Sequence, residues 1–97
     1  MATENLYKEL FLCASGPIKS RFLKMLVDAY PDWLPLAGAQ FAIWGDRPPA
    51  SPAATVRSLI WQMQPRLDEA GFRIVRHRAE FFGSPTTYYR LERIADA

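Results

Sequence analysis

The sequence predicts an α+β domain in which a three-helix core is closed by a C-terminal β-hairpin, with a short extra helix at the N-terminus. Three observations predict it. An apolar-periodic segment opens at Ser51-Pro52 and stops at Gly71, which reads as a long helix with an N-cap and a glycine stop. That segment runs straight into two basic, β-prone stretches, residues 72–79 and 86–94, spaced for a hairpin. Two shorter helical patterns lie upstream, each bounded by proline or glycine. With 97 residues, 49% hydrophobic and 13% aromatic, residues 1–97 are enough for one domain with its own core and no metal or disulfide support.

Taken in order, the first element covers residues 3–13. Leu6 and Leu10 stand four apart, flanked by Tyr7 and Phe11, while Glu4, Lys8 and Glu9 are polar, so an amphipathic helix is favoured over the alternative of a strand. Ser15-Gly16-Pro17 then breaks the pattern. Ser15 can cap a second helix over residues 17–30, in which Ile18, Phe22, Met25, Leu26 and Ala29 form the core-facing stripe. Pro31 ends it, because proline disfavours helical geometry at the residue before it and has no N–H to donate. Asp32-Trp33-Leu34 reads as a short extended bridge.

A shorter helix fits residues 35–44, with Leu36, Ala39 and Ile43 inward and Gly45 as its left-handed stop. Asp46-Arg47-Pro48-Pro49-Ala50 is a loop. The long helix spans residues 52–70, with Val56, Ile60, Met63 and Leu67 on its buried side and Arg57, Ser58, Trp61 and Pro65 opposite. Pro65 removes a hydrogen bond and crowds the preceding turn, at a cost of about 3 kcal/mol, so a kink or break is expected near Gln64. The hairpin tip, with Phe81, Phe82 and Gly83-Ser84-Pro85, is expected to be long, and the two phenylalanines to fold back on the core or join a dimer contact.

From Ser15 to Leu91 this order resembles the winged helix-turn-helix effector domain of bacterial response regulators of the OmpR/PhoB type. Phe22-Leu23-x-x-Leu26 ending at Pro31 is similar to that family's first helix, and Ile43-Trp44-Gly45 to the Trp-Gly that closes its second. Val56-x-x-x-Ile60-x-x-Met63-x-x-x-Leu67 is similar to its recognition-helix core, with Met63 where leucine is usual, and Tyr89-Arg90-Leu91 to the end of its second wing strand. The resemblance implies a recognition helix over 52–70, a wing over 72–94 and an N-terminal extension over 1–14. It also implies double-stranded DNA as partner and a role in transcription regulation. The chain departs from the family in having only about fifteen residues before the first helix, where the family has a receiver domain and a four-stranded sheet. It departs again at Gln64-Pro65, where the family has a basic pair, and at Tyr88, where it has glycine. Phosphorylation control is not implied.

The charge pattern leans the same way. Residues 1–46 hold four Lys/Arg and five acids, a net −1, whereas residues 47–97 hold eight Arg and five acids, a net +3. Arginine suits phosphates and guanine edges because its planar fork donates two parallel hydrogen bonds. On a helix lying in a major groove, Arg57, Ser58, Trp61 and Gln62 would face base edges, against the alternative of an ordinary solvated face. Arg73, Arg76, His77 and Arg78, with Arg90 and Arg93 on the return strand, would hold the phosphate backbone, against the alternative of charge that keeps a small sheet soluble. Trp61 is costly to leave in water and common in protein–protein hot spots. It therefore also supports a second reading: a protein-interaction module, an adaptor or modulator of a larger nucleic-acid machine.

Catalytic and metal chemistry find no material. His77 is the only histidine and Cys13 the only cysteine, so neither a zinc site nor a Cys/His pair is available in one chain. Asp68-Glu69 are adjacent on a helix and point apart, and no phosphate-cradling glycine loop exists. The expectation is a non-enzyme without cofactor or metal. One module buries little DNA, so a homodimer or a second factor beside it is expected. A cytoplasmic location without membrane contact is expected too, since no leader or long apolar run is present.

Overall fold

The computed structural model describes residues 2–81 and 84–94, with side chains described over 5–80 and 85–94. Helix α1 (Ala2–Leu10) runs into a 3-10 turn (Phe11–Cys13), followed by α2 (Pro17–Ala29), strand β1 (Leu34–Pro35), α3 (Leu36–Trp44), α4 (Pro52–Glu69) and strands β2 (Phe72–Phe81) and β3 (Ser84–Arg93). The strands form one antiparallel sheet in the order β1-β3-β2. The protein is thus α+β among the described residues, in a layout compatible with a winged helix.

One core joins the helices to the inner face of the sheet. Phe22, Leu23, Leu26 and Val27 of α2, Ala39 and Ile43 of α3, and Val56, Leu59, Met63 and Leu67 of α4 are buried with Phe72, Ile74, Tyr89 and Leu91. Burying each large apolar side chain contributes about 1.5–3 kcal/mol. Tyr89 meets Phe22 edge-on at 5.8 Å between ring centroids, and Tyr30 meets Phe72 at 6.2 Å, which ties α2 to both hairpin strands. Leu6 and Leu10 bring α1 onto this core. Arg21 Nη1 donates to the Ile43 carbonyl at 3.2 Å and so satisfies an open C-terminal carbonyl of α3.

Several expectations need correcting. The bridge before α3 is not merely extended: Leu34 and Pro35 pair with Tyr89 and Tyr88 and add a third strand. Ile18 lies at the start of α2 and is 40% exposed, while Leu23 and Val27 occupy the buried stripe in its place. On α4 Leu59 is buried as well, and Ile60 is partly buried against the core, so the helix buries a wider arc than the simple four-residue count. Gly16, at φ 87°, precedes α2 without any side-chain cap from Ser15. Ser51 precedes α4 but its hydroxyl caps nothing; instead Thr55 Oγ1 donates to the Ser51 carbonyl at 3.0 Å. Gly45 and Gly71 do adopt positive φ, 64° and 86°, just past their helices.

Pro65 does not break α4, which continues through it to Glu69. Pro65 lies on the exposed side of the helix, so its ring meets no core side chain that would force a break. The hairpin tip is also shorter than expected. The strands stay paired through Phe81 and Ser84, so only residues 82 and 83 lie between them. Phe82 lies outside the described residues, as does the side chain of Phe81.

Candidate nucleic-acid interface

Helix α4 turns Arg57, Ser58, Trp61 and Gln62 to solvent together, as the periodicity requires once Val56, Leu59, Met63 and Leu67 face inward. Trp61 is 79% exposed. Gln62 Nε2 donates to Ser58 Oγ at 3.2 Å across one helical turn. Trp61 and Pro65 share a shallow apolar depression with Lys19 from α2.

The wing residues divide by strand alternation. In β2 the buried Phe72 and Ile74 set the inner face, and Arg76 and Arg78 follow on that face, opposite Tyr89 and Thr87 of β3. Arg73 and His77 occupy the other face, opposite Glu92 and Tyr88. The four side chains grouped by sequence therefore form two separate sets.

On the outer face one carboxylate offsets part of the arginine charge. Arg73 Nη2 donates to Glu92 Oε1 at 2.7 Å and Arg90 Nη2 to Glu92 Oε2 at 2.9 Å. These two hydrogen bonds hold the Glu92 carboxyl below its ordinary range. The Arg90 guanidinium also stacks 4.3 Å from the centroid of the Trp33 ring, and His77 leans on the same ring at 5.8 Å. Arg93, back on the inner face, lies 4.5 Å over Phe72.

The inner face is different. Arg76 and Arg78 line a cleft of about 500 Å³ together with Arg57 from α4, Thr86, Thr87 and Tyr89 from β3, and the first turns of α3 and α4. No acidic side chain lines it, and none of these three arginines has an ion-pair partner among the described residues. Tyr89 lines the cleft and is 1% exposed as a whole residue, and no buried side-chain nitrogen or oxygen among the described residues is left without a partner. Burial pushes its phenol above the ordinary value, while Arg76 and Arg57 pull the other way, so it stays a proton donor at neutral pH.

Comparison with protein-family models, curated proteins and solved structures gives no match. The structure brings Arg57, Arg76 and Arg78 together and sets Arg73 and His77 apart. It adds Tyr89, Thr86 and Thr87, which the sequence reading passed over. Tyr89 and Thr87 stand opposite Arg76 and Arg78 in the register, whereas Thr86 stands opposite Ala79.

No cluster of three or more His, Cys, Asp or Glu among the described residues is placed to hold a metal ion. No helix there is long and apolar enough to cross a membrane. Burial raises the Cys13 thiol above its ordinary value; Arg66 opposes the shift and Glu69 reinforces it.

Proposed function

We propose that the chain is a winged-helix protein that binds double-stranded DNA and acts in transcription regulation, with α4 in the major groove and the hairpin against the backbone. One observation carries the reading: Arg57 of α4 and Arg76 and Arg78 of the wing are adjacent, unpaired and exposed, so helix and hairpin share one positive surface. Arg57, Ser58 and Gln62 are the side chains that meet base edges, and Arg76 and Arg78 are those that meet phosphates. Arg73 contributes less than the sequence suggests, since Glu92 already offsets part of its charge.

The test is a titration of mixed-sequence duplex DNA into the full chain at two salt concentrations. Binding that weakens steeply with salt, and falls in Arg57→Gln, is the expected result. Absence of binding at the lower salt rejects the reading.

Trp61 supports a second reading, in which the same face docks a protein. At 79% exposure it is a large apolar surface beside Pro65, and both are unusual in a phosphate-facing helix. Trp61→Ala separates the two. Loss of a partner complex with duplex affinity unchanged favours protein docking, and the converse favours DNA.

A further inference from the structure

The cleft between α4, the first turn of α3 and the wing is more than a stretch of positive surface. Three arginines from two elements line it without an ion-pair partner among the described residues, no acid lines the walls, and Tyr89 brings a phenol to the same cleft. Three like charges on one concave surface repel one another, and a bound anion relieves that repulsion.

We propose that this cleft binds a phosphate monoester. Arg76 and Arg78, two residues apart on one strand face, donate from the wing side, Arg57 donates from α4, and the Tyr89 hydroxyl donates from β3. Thr86 and Thr87 on β3 complete the polar wall. Charge decides between monoester and diester. A phosphodiester of a nucleic-acid backbone carries one negative charge, whereas a monoester carries about −1.5 to −2 near neutral pH and presents three acceptor oxygens. The monoester matches three guanidiniums and a hydroxyl better in both charge and acceptor count. Its source is either a small phosphorylated molecule or the 5′-phosphate at a nucleic-acid end. The assignment shares its arginines with the duplex reading but stands apart from it, because a pocket for a monoester does not require a groove-reading helix.

The probe is inorganic phosphate, titrated calorimetrically into the full chain, with chloride at matched ionic strength as the reference. Saturable binding at one site per chain is expected. Arg57→Gln and Arg76→Gln should each weaken it by about tenfold or more, and Tyr89→Phe by roughly tenfold, the loss of one charge-assisted hydrogen bond. Tyr89→Phe keeps the ring that packs on Phe22, and Arg57 is exposed, so these two variants remain folded if Arg76→Gln does not. Phosphate binding no stronger than that of chloride overturns the proposal, and so does wild-type affinity in both Arg57→Gln and Tyr89→Phe. A blunt duplex carrying 5′-phosphate is then compared with the same duplex ending in 5′-hydroxyl. A preference for the phosphorylated end assigns the site to nucleic-acid termini; equal affinities, with inorganic phosphate still bound, assign it to a small phosphorylated molecule. Phosphate binding without any duplex affinity removes the DNA reading alone, and duplex affinity without phosphate binding removes this one alone.

Discussion

Gln64 joins the long helix to the wing, and its replacement gives the sharpest test of how the site is held. Its Nε2 donates to the Phe72 carbonyl at 3.3 Å and to Asp68 Oδ1 at 2.7 Å, while its Oε1 accepts from the Ile74 N–H at 3.2 Å. One side-chain amide thus pairs with the donor and acceptor that β2 leaves open beside α4, much as a further strand would. Phe72 and Ile74 are buried, so water replaces these contacts poorly. Two partly buried hydrogen bonds at about 1 kcal/mol each give an expected loss of about 2 kcal/mol for Gln64→Ala. The exposed bond to Asp68 adds little. For a domain this size that loss lowers the melting temperature by roughly 8–16 °C. Gln64→Leu keeps the aliphatic stem, so a comparable loss in that variant isolates the amide from side-chain packing. The assay is urea unfolding followed by tryptophan fluorescence, with amide exchange at Ile74 as the local readout. A change below about 0.5 kcal/mol in both variants, with Ile74 still protected, would refute the bridge as a stabilising element.

Pro65→Ala should stabilise the protein, by up to about 3 kcal/mol, because α4 is already helical at Pro65 and alanine restores the missing N–H; a loss of stability in the same unfolding assay would show instead that the proline ring packs. The Glu92 carboxyl is held low by Arg73 and Arg90. Its contribution is therefore full above the ordinary glutamate value and is lost as pH falls through the lower folded value, so Glu92→Gln should flatten the acid limb of stability, measured by melting between neutral pH and pH about 3. Tyr89 is shifted the other way. Its contribution is full below the ordinary tyrosine value and fades as pH rises toward the raised folded value, and Tyr89→Phe should blunt that alkaline loss in the same experiment. Cys13, held protonated by burial, should react with iodoacetamide more slowly in the folded chain than in urea; equal rates would contradict its partial burial.

Much of the fold was legible because it is local. Proline and glycine marked the element ends, as at Pro31, Gly45 and Gly71, and apolar spacing found most of the core, including Phe22, Leu26, Ile43, Val56, Met63 and Leu67. The misreadings are equally physical. Leu34–Pro35 is too short to show period-two patterning, and it becomes a strand only because β3 lies beside it. Leu59 joined Ile60 against the core because a helix in contact with more than one neighbour buries a wider arc than one stripe. Gln64 read as a missing basic residue when its partners were Phe72 and Ile74, eight and ten residues away in the next element.

The sequence by itself determined the α+β composition, the order of helices before hairpin, the outward set Arg57, Ser58, Trp61 and Gln62, and the concentration of arginine in the second half. Periodicity and net charge are sums over neighbours in the chain, so they survive without a structure. Only the tertiary structure decided which arginines act together. Alternation along β2 sorts Arg76 and Arg78 from Arg73 and His77, but the packing of α4 on the sheet selects the inner pair, places Arg57 beside it and brings Tyr89 to the same cleft. Meanwhile Glu92, nineteen residues from Arg73, offsets part of the outer charge. Electrostatic partnership depends on distance in space, and a hairpin register with one helix packed on it is what converts a basic segment into one acid-free cleft and one face whose charge is partly offset.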